Sequence, residues 1–209
     1  MEHKVCVTGA SGFLASWLMK RLLLSGYHVI GTIRHLGKKH KVEHLWKLEG
    51  PTERLELVQA DLMEQNSFDK AIMGCKAVFH IASPVPNHIS NGPKAEILEP
   101  AVQGTLNVLR SCRKNPALVR VVLAASSSAV RKFQWHGRMG YVHMDDVALS
   151  HILLYENKAS HGRYLCSSAI MDNDDLVAML ANRYPGFPFP KGRVSLRFTV
   201  VHTSALLKL

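Results

Sequence analysis

Residues Val5 to Ala15 read V-C-V-T-G-A-S-G-F-L-A, buried-strand residues that pass through a glycine turn into a helix. This order commits the chain to a strand whose carboxyl end bends tightly into the amino end of a helix. Gly9 permits the turn, Gly12 lets backbone come close to a ligand, and small Ala15 lets the helix pack near the strand. The free N–H groups and positive dipole end at the helix start make an anion site out of backbone alone. A glycine triplet by itself is common. The strand before it and the helix after it are what point to a dinucleotide pyrophosphate site rather than a structural turn.

The rest of the chain supports that frame. Strand signals at Lys4–Thr8, His28–Ile33, Leu55–Gln59, Ala77–Ile81 and Val119–Ala125 alternate with helical patterns at Phe13–Leu24, Ser67–Met73 and Ala95–Lys114. Gly26 stops the first helix, and Pro84, Pro86 and Pro93 mark a loop after the fourth strand. Strands alternating with helices over short connections predict an α/β chain of Rossmann type, with a doubly wound parallel sheet. After Ser128 the pattern breaks: Arg131 to Gly140 has no helical period where a crossover helix belongs, so the sheet reads as incomplete after its fifth strand. Beyond it lie a strand at Tyr141–His143, a helix from Asp145 or Asp146 through Tyr155, a strand at Arg163–Cys166 and a helix at Asp172–Arg183. Val194–Leu209 is apolar and β-like, with no obvious place in the sheet.

Composition narrows the class. With 209 residues, 47% of them hydrophobic, the chain has the makings of a globular core. Lys and Arg outnumber Asp and Glu by 26 to 16, which favours anionic ligands. The basic residues are scattered apart from Lys38, Lys39 and Lys41, and no nucleic-acid motif accompanies them, so nucleic acid is not an expected partner. Cys6, Cys75, Cys112 and Cys166 are far apart and read as reduced thiols rather than a disulfide frame or zinc site. His40 and His44 share a helical spacing but have no third ligand, so no metal is expected. The first strand begins by Val5, leaving no room for a signal peptide, and no apolar run reaches membrane-spanning length. A cytoplasmic location is the expectation.

Several side chains fall where chemistry belongs. Arg34 ends the second strand about 20 residues past the glycines, where an acidic residue would hold the ribose of NAD. An arginine there suits the additional phosphate of NADP, with Lys41 as a second charge, although a solvent-facing loop arginine reads the same way. Asp61-Leu62 after the third strand, and Ala82-Ser83 after the fourth, lie along the path of such a cofactor, or serve simple turn chemistry. Ser126, Ser127 and Ser128 follow the fifth strand, where a hydroxyl can orient a carbonyl or simply face solvent.

Longer stretches carry a resemblance. K-V-C-V-T-G-A-S-G-F-L-A-S-W-L at the start, H-L-W-K-L-E-G at 44–50, A-D-L-M-E at 60–64, G-T-L-N-V-L-R-S-C at 104–112 and K-F-Q-W-H-G-R-M-G-Y-V-H at 132–143 resemble the plant extended short-chain dehydrogenase/reductases. The group is that of dihydroflavonol and cinnamoyl-CoA reductases, and within it the tetraketide alpha-pyrone reductase branch. The resemblance covers residues 4 to about 191. It implies an NADPH-dependent reductase of a small-molecule carbonyl, a polyketide pyrone made from a fatty acyl starter on the way to sporopollenin of the pollen wall. It adds an association with the endoplasmic reticulum surface.

By position the resemblance makes Ser126 the catalytic serine, though Ala124 and Ala125 replace the usual Thr-Ser before it. It makes Thr8, Gly9, Ser11, Gly12, Phe13, Leu14, Arg34, Lys41, Asp61, Leu62, Ala82 and Ser83 cofactor-binding. Three segments follow from it: an NADP-binding domain over 1–131, a remnant of the substrate-binding C-terminal lobe over 132–191, and a tail over 192–209 outside the family pattern.

One departure is chemical. The family carries Tyr-x-x-x-Lys on the helix after the serine strand, the tyrosine as proton donor and the lysine as ribose anchor. The tyrosines of this chain are Tyr27, Tyr141, Tyr155, Tyr164 and Tyr184, and none has a lysine four residues on. Tyr155 has Lys158 at three, which offers only a shared helix face. The chain runs from Val130-Arg131 directly into Lys132-Phe133, passing over the block that would hold the catalytic helix and the sixth strand. Such a junction fits an alternative transcript, a pseudogene-like copy or a misjoined gene. The expected result is a reductase with impaired chemistry, or a non-catalytic NADP-binding remnant.

Overall fold

The computed structural model describes residues 3–37, 39–48, 52–84, 94–125, 138–188 and 206–208. They divide into two compact units, Met1–Ala124 with His151–Ser160, and Ala125–Ser150 with His161–Leu209.

The first unit is built on five parallel strands: β1 (Lys4–Thr8), β2 (His28–Ile33), β3 (Leu55–Gln59), β4 (Ala77–His80) and β5 (Arg120–Leu123), in the order β3-β2-β1-β4-β5. The expected doubly wound parallel sheet is therefore present. Helices α1 (Phe13–Leu24), α2 (Lys39–Trp46), α3 (Asp69–Ile72) and α4 (Glu99–Lys114) connect the strands. A π turn over Lys94–Leu98 leads into α4, and a 3-10 turn over Thr52–Arg54 leads into β3. Only a shared face for His40 and His44 was expected of the segment that forms α2.

Strand alternation sorts the core into two faces. Cys6, Ile30 and Val78 point to one side, where they bury Ala71, Ile72, Val108 and Cys112 of α3 and α4 together with Phe68. The α1 side holds the closest approach, at Gly31 of β2. A Cβ there would lie 2.8 Å from Ala10 Cβ and 3.1 Å from Met19 Sδ, so the bare backbone is what lets α1 settle on the sheet. Ala15, expected to serve close packing, is fully buried.

The cysteines are all free, as expected, and Cys6, Cys75 and Cys112 are buried. Burial pushes the Cys75 and Cys112 thiols up to about 11, so they behave as inert apolar groups.

Residues 151–160 complete the first unit. They form the last part of helix α5 (Met144–Glu156) and the chain just beyond it. The Arg120 guanidinium at the start of β5 donates to the carbonyls of Leu154, Asn157 (2.9 Å) and Lys158 (3.2 Å). One side chain thus satisfies carbonyls that the end of α5 leaves open.

In the second unit, β6 (Arg138–Tyr141) pairs antiparallel with β8 (Ala169–Asp172). β7 (Tyr164–Cys166) pairs antiparallel with β9 (Leu206–Lys208), and α6 spans Asn173–Arg183. Gly140 packs closely on Ser167, whose Oγ would have to rotate away from a Cβ placed 2.8 Å from it. The apolar tail thus supplies a strand to β7, outside the five-stranded sheet. β8 went unforeseen because its A-I-M-D run is short and merges with the helix signal that follows it.

Candidate cofactor site

The strands of a parallel sheet all end on one edge, and most of the predicted positions meet there. Gly9 leaves β1 with φ +72°, a left-handed conformation that favours glycine. A Cβ on it would sit 3.0 Å from Ala82 Cα and 3.1 Å from Ala82 Cβ, so the turn after β1 lies directly against the turn after β4. Gly12 N–H donates to Gly9 O at 2.9 Å, and Gly12 is itself the extended residue that caps α1. No side chain caps that helix, which leaves its first amides facing outward. Ser11 and Phe13 are exposed beside them, and Leu14 is half-buried.

Arg34 and Asp61, singled out separately in sequence, stand together. Arg34 Nε lies 3.7 Å from Asp61 Oδ2, and the guanidinium is more than half exposed. An exposed pair of this kind is worth about 0–1 kcal/mol, so Arg34 can turn to a phosphate at little cost. Asp61 Oδ1 accepts from Met63 N–H at 2.8 Å, and the Ser67 hydroxyl donates to Asp61 O at 2.7 Å. The turn reading and the ligand reading of Asp61 are therefore compatible, since its other oxygen is free of the turn.

Leu62 is buried rather than presented to a ligand by its side chain. Its carbonyl accepts from Asn107 Nδ2 at 2.8 Å, and a Cβ on Gly104 would press on it at 2.9 Å. Helix α4 therefore holds the loop in place from behind. Asn107 escaped the sequence reading, and its only signal was a polar residue on the buried face of G-T-L-N-V-L.

Thr8 also takes a different part from the one expected. It is fully buried, so its side chain is no direct ligand contact. Its Oγ1 accepts from Ile81 N–H at 3.1 Å and Ala82 N–H at 3.0 Å, and lies 2.8 Å from His80 Nδ1. Ala82 is half-buried and Ser83 exposed at the same edge. Lys41 lies in α2, with its side chain outside the described residues, as is the whole of Ser126.

Tyr155 is accounted for as well. Its ring packs edge-on against Tyr27 and Phe79, at 6.0 Å from each. Tyr27 precedes β2 at the amino edge of the sheet, and its hydroxyl donates to Glu156 Oε1 at 2.7 Å. Burial, with the Glu156 charge behind it, pushes the Tyr155 phenol above its ordinary value. The Tyr155 ring is thus held by packing between Tyr27 and Phe79. Among the described residues no cluster of His, Cys, Asp or Glu could hold a metal, and no helix is long and apolar enough to cross a membrane.

A glycine turn on a helix start, an arginine after β2 and an acidic turn after β3, all on one edge of a 3-2-1-4-5 sheet, define a Rossmann dinucleotide-binding protein. The sequence pattern of the NAD dependent epimerase/dehydratase family matches residues 5–134. Tetraketide alpha-pyrone reductase 1 of Arabidopsis thaliana is 46% identical over 274 aligned positions, 91% of this chain and 84% of the relative. Cinnamoyl-CoA reductase CAD2 of Medicago truncatula is 52% identical over 130 residues, 62% of this chain but 40% of the relative. Among solved structures, vestitone reductase from alfalfa superimposes with a TM-score of 0.71 at 27% identity, over 89% of this chain and 83% of that one. The chain belongs to the NAD dependent epimerase/dehydratase family, with the extended short-chain reductase fold.

Proposed function

We propose that this chain binds NADP at the carboxyl edge of the sheet and descends from an NADPH-dependent carbonyl reductase whose proton-donating step it has lost. The observation that carries the reading is the glycine turn on the open start of α1, with Arg34 beside it. Gly9, Ser11, Gly12, Phe13 and Leu14 would offer backbone amides to the pyrophosphate. Arg34 would take the 2′-phosphate with two charge-assisted hydrogen bonds, with Lys41 adding charge. Asp61 would accept from the adenine amino group, while the Leu62 and Ala82-Ser83 backbone flanks the cofactor. Bound NADPH supplies a hydride.

What the chain lacks is the Tyr-x-x-x-Lys that would protonate the reduced carbonyl. The alignment with the Arabidopsis reductase runs over more positions than this chain has residues, which supports a block present there and absent here. The family pattern supports a boundary in the same region, since it ends at residue 134. Losing a positioned general acid lowers a rate by about 10²–10⁴. Ser126 retains its place in the sequence as the orienting hydroxyl, and the family substrate would be a tetraketide alpha-pyrone-like polyketide.

Two measurements test this reading on the purified protein. Its melting temperature rises with NADP and with 2′-phospho-ADP-ribose, and NADPH oxidation with a tetraketide pyrone stays near the buffer rate. An unshifted melt refutes the binding half; turnover at the rate of a complete reductase refutes the impairment.

A further inference from the structure

The site has a support that none of its ligand-facing residues reveals. Thr8 and His80 are register partners at the carboxyl ends of β1 and β4, and both are buried. A threonine hydroxyl has one proton to give and two lone pairs to fill. Ile81 N–H and Ala82 N–H fill the lone pairs, so the proton goes to His80 Nδ1 at 2.8 Å. This demands a neutral imidazole with Nδ1 bare and the hydrogen on Nε2. Burial favours the neutral form.

One of the residues fixed by this hub touches the glycine turn. Ala82, whose amide Thr8 holds, is the residue against which Gly9 has no room for a Cβ. On the far side, Gly9 N–H donates to Thr32 Oγ1 at 3.3 Å, and Ala10 N–H donates to Thr32 O at 2.9 Å. The turn is therefore wedged between β2 and the start of the β4 loop, and one hydroxyl sets the distance on the β4 side.

We propose that Thr8 and His80 are positioning residues for the dinucleotide site, with His80 as the acceptor that aims the Thr8 oxygen at the Ile81 and Ala82 amides. The proposal rests on the NADP reading above. Without the hub the two amides lose their acceptor, the Ala82 turn drifts, and the amides of the glycine turn no longer converge on the pyrophosphate. The effect falls on nucleotide affinity, through geometry rather than contact.

The test is NADP binding by calorimetry to the full chain and four variants. Thr8→Val keeps shape and removes the hydroxyl, while Thr8→Ser restores it. His80→Leu removes the acceptor, while His80→Asn returns an oxygen near the Nδ1 position. Thr8→Val and His80→Leu are expected to weaken binding about tenfold, the size of one lost hydrogen bond. Thr8→Ser and His80→Asn are expected to stay within about twofold of the unmutated protein, the rescue a purely structural role would not produce. Equal affinities for Thr8→Val and Thr8→Ser overturn the proposal while leaving the NADP reading intact; no binding by the unmutated protein overturns both. Should the apolar variants fail to fold, nitrogen NMR of the unmutated protein decides: the Nε2–H tautomer of His80 supports the hub, and an Nδ1–H tautomer refutes it.

Discussion

His80 makes the stability of this protein depend on acid in a calculable way. Burial lowers its pKa to about 4, from 6.5 for an unhindered imidazole. Between those values the unfolded chain takes up a proton that the folded protein refuses, so stability is complete above the upper value and falls as pH drops through the window. The full difference is worth about 3 kcal/mol, of which about 2 kcal/mol is lost by pH 5. Urea unfolding of the unmutated protein and of His80→Asn, at pH 8 and again at pH 5, isolates the effect. Asp69 does not confuse the comparison. Burial works to raise its carboxyl, but hydrogen bonds from Lys114 and Ser111 outweigh this and hold it below its ordinary value. Its losses therefore come at lower pH and are common to both proteins. His80→Asn should lose about 2 kcal/mol less than the unmutated protein between the two pH values. Equal losses would falsify a neutral, buried His80.

Three further outcomes follow from the geometry. Arg34→Ala should weaken NADP binding by about 10- to 100-fold and leave NAD unchanged, as expected for lost charge-assisted hydrogen bonds; parallel titrations of the two nucleotides check it, and equal effects on both would remove Arg34 from the 2′-phosphate. Gly9→Ala should cost about 2–4 kcal/mol in urea unfolding, from its left-handed backbone and its contact with Ala82, and should also loosen NADP. A neutral result there means the turn is not wedged against β4. Arg120→Met keeps the apolar stem but strips the end of α5 of its donor, for about 2 kcal/mol and faster amide exchange over residues 151–160. Unchanged exchange would show that α5 is held there by Tyr155 and Ile152 alone.

Most elements of the first unit were legible because each announces itself locally, whereas of α2 only a shared face for His40 and His44 was read. β1 is a buried run, α1 follows a glycine turn, and the bounds of Leu55–Gln59 and the end of α4 at Lys114 are carried by neighbouring residues, whereas the π turn over Lys94–Leu98 that precedes α4 was read as helix. The positions of Gly9, Gly12, Arg34 and Asp61 followed from counting along that frame. His80 did not, because A-V-F-H reads as a strand with a polar last residue, and nothing nearby says that Thr8 faces it. Asn107 and Gly104 were hidden for the same reason, their partner being Leu62 on a different element. The packing of the Tyr155 ring against Tyr27 and Phe79 was equally hidden, because those partners lie on distant parts of the chain.

The sequence by itself determined that a glycine turn joins a buried strand to a helix, that an arginine ends the second strand, and that the chain has no Tyr-x-x-x-Lys. These are properties of residue type and near spacing, where one or two turns of chain set the chemistry. The tertiary structure alone decided that β4 lies beside β1, and with it the Thr8–His80 hub. It also decided that Arg34 meets Asp61 and that residues 151–160 complete the first unit. The reason is physical. Hydrophobic periodicity tells each element which face to bury, but a buried polar group is satisfied by whatever the packing brings opposite, and that partner can lie 72 residues away.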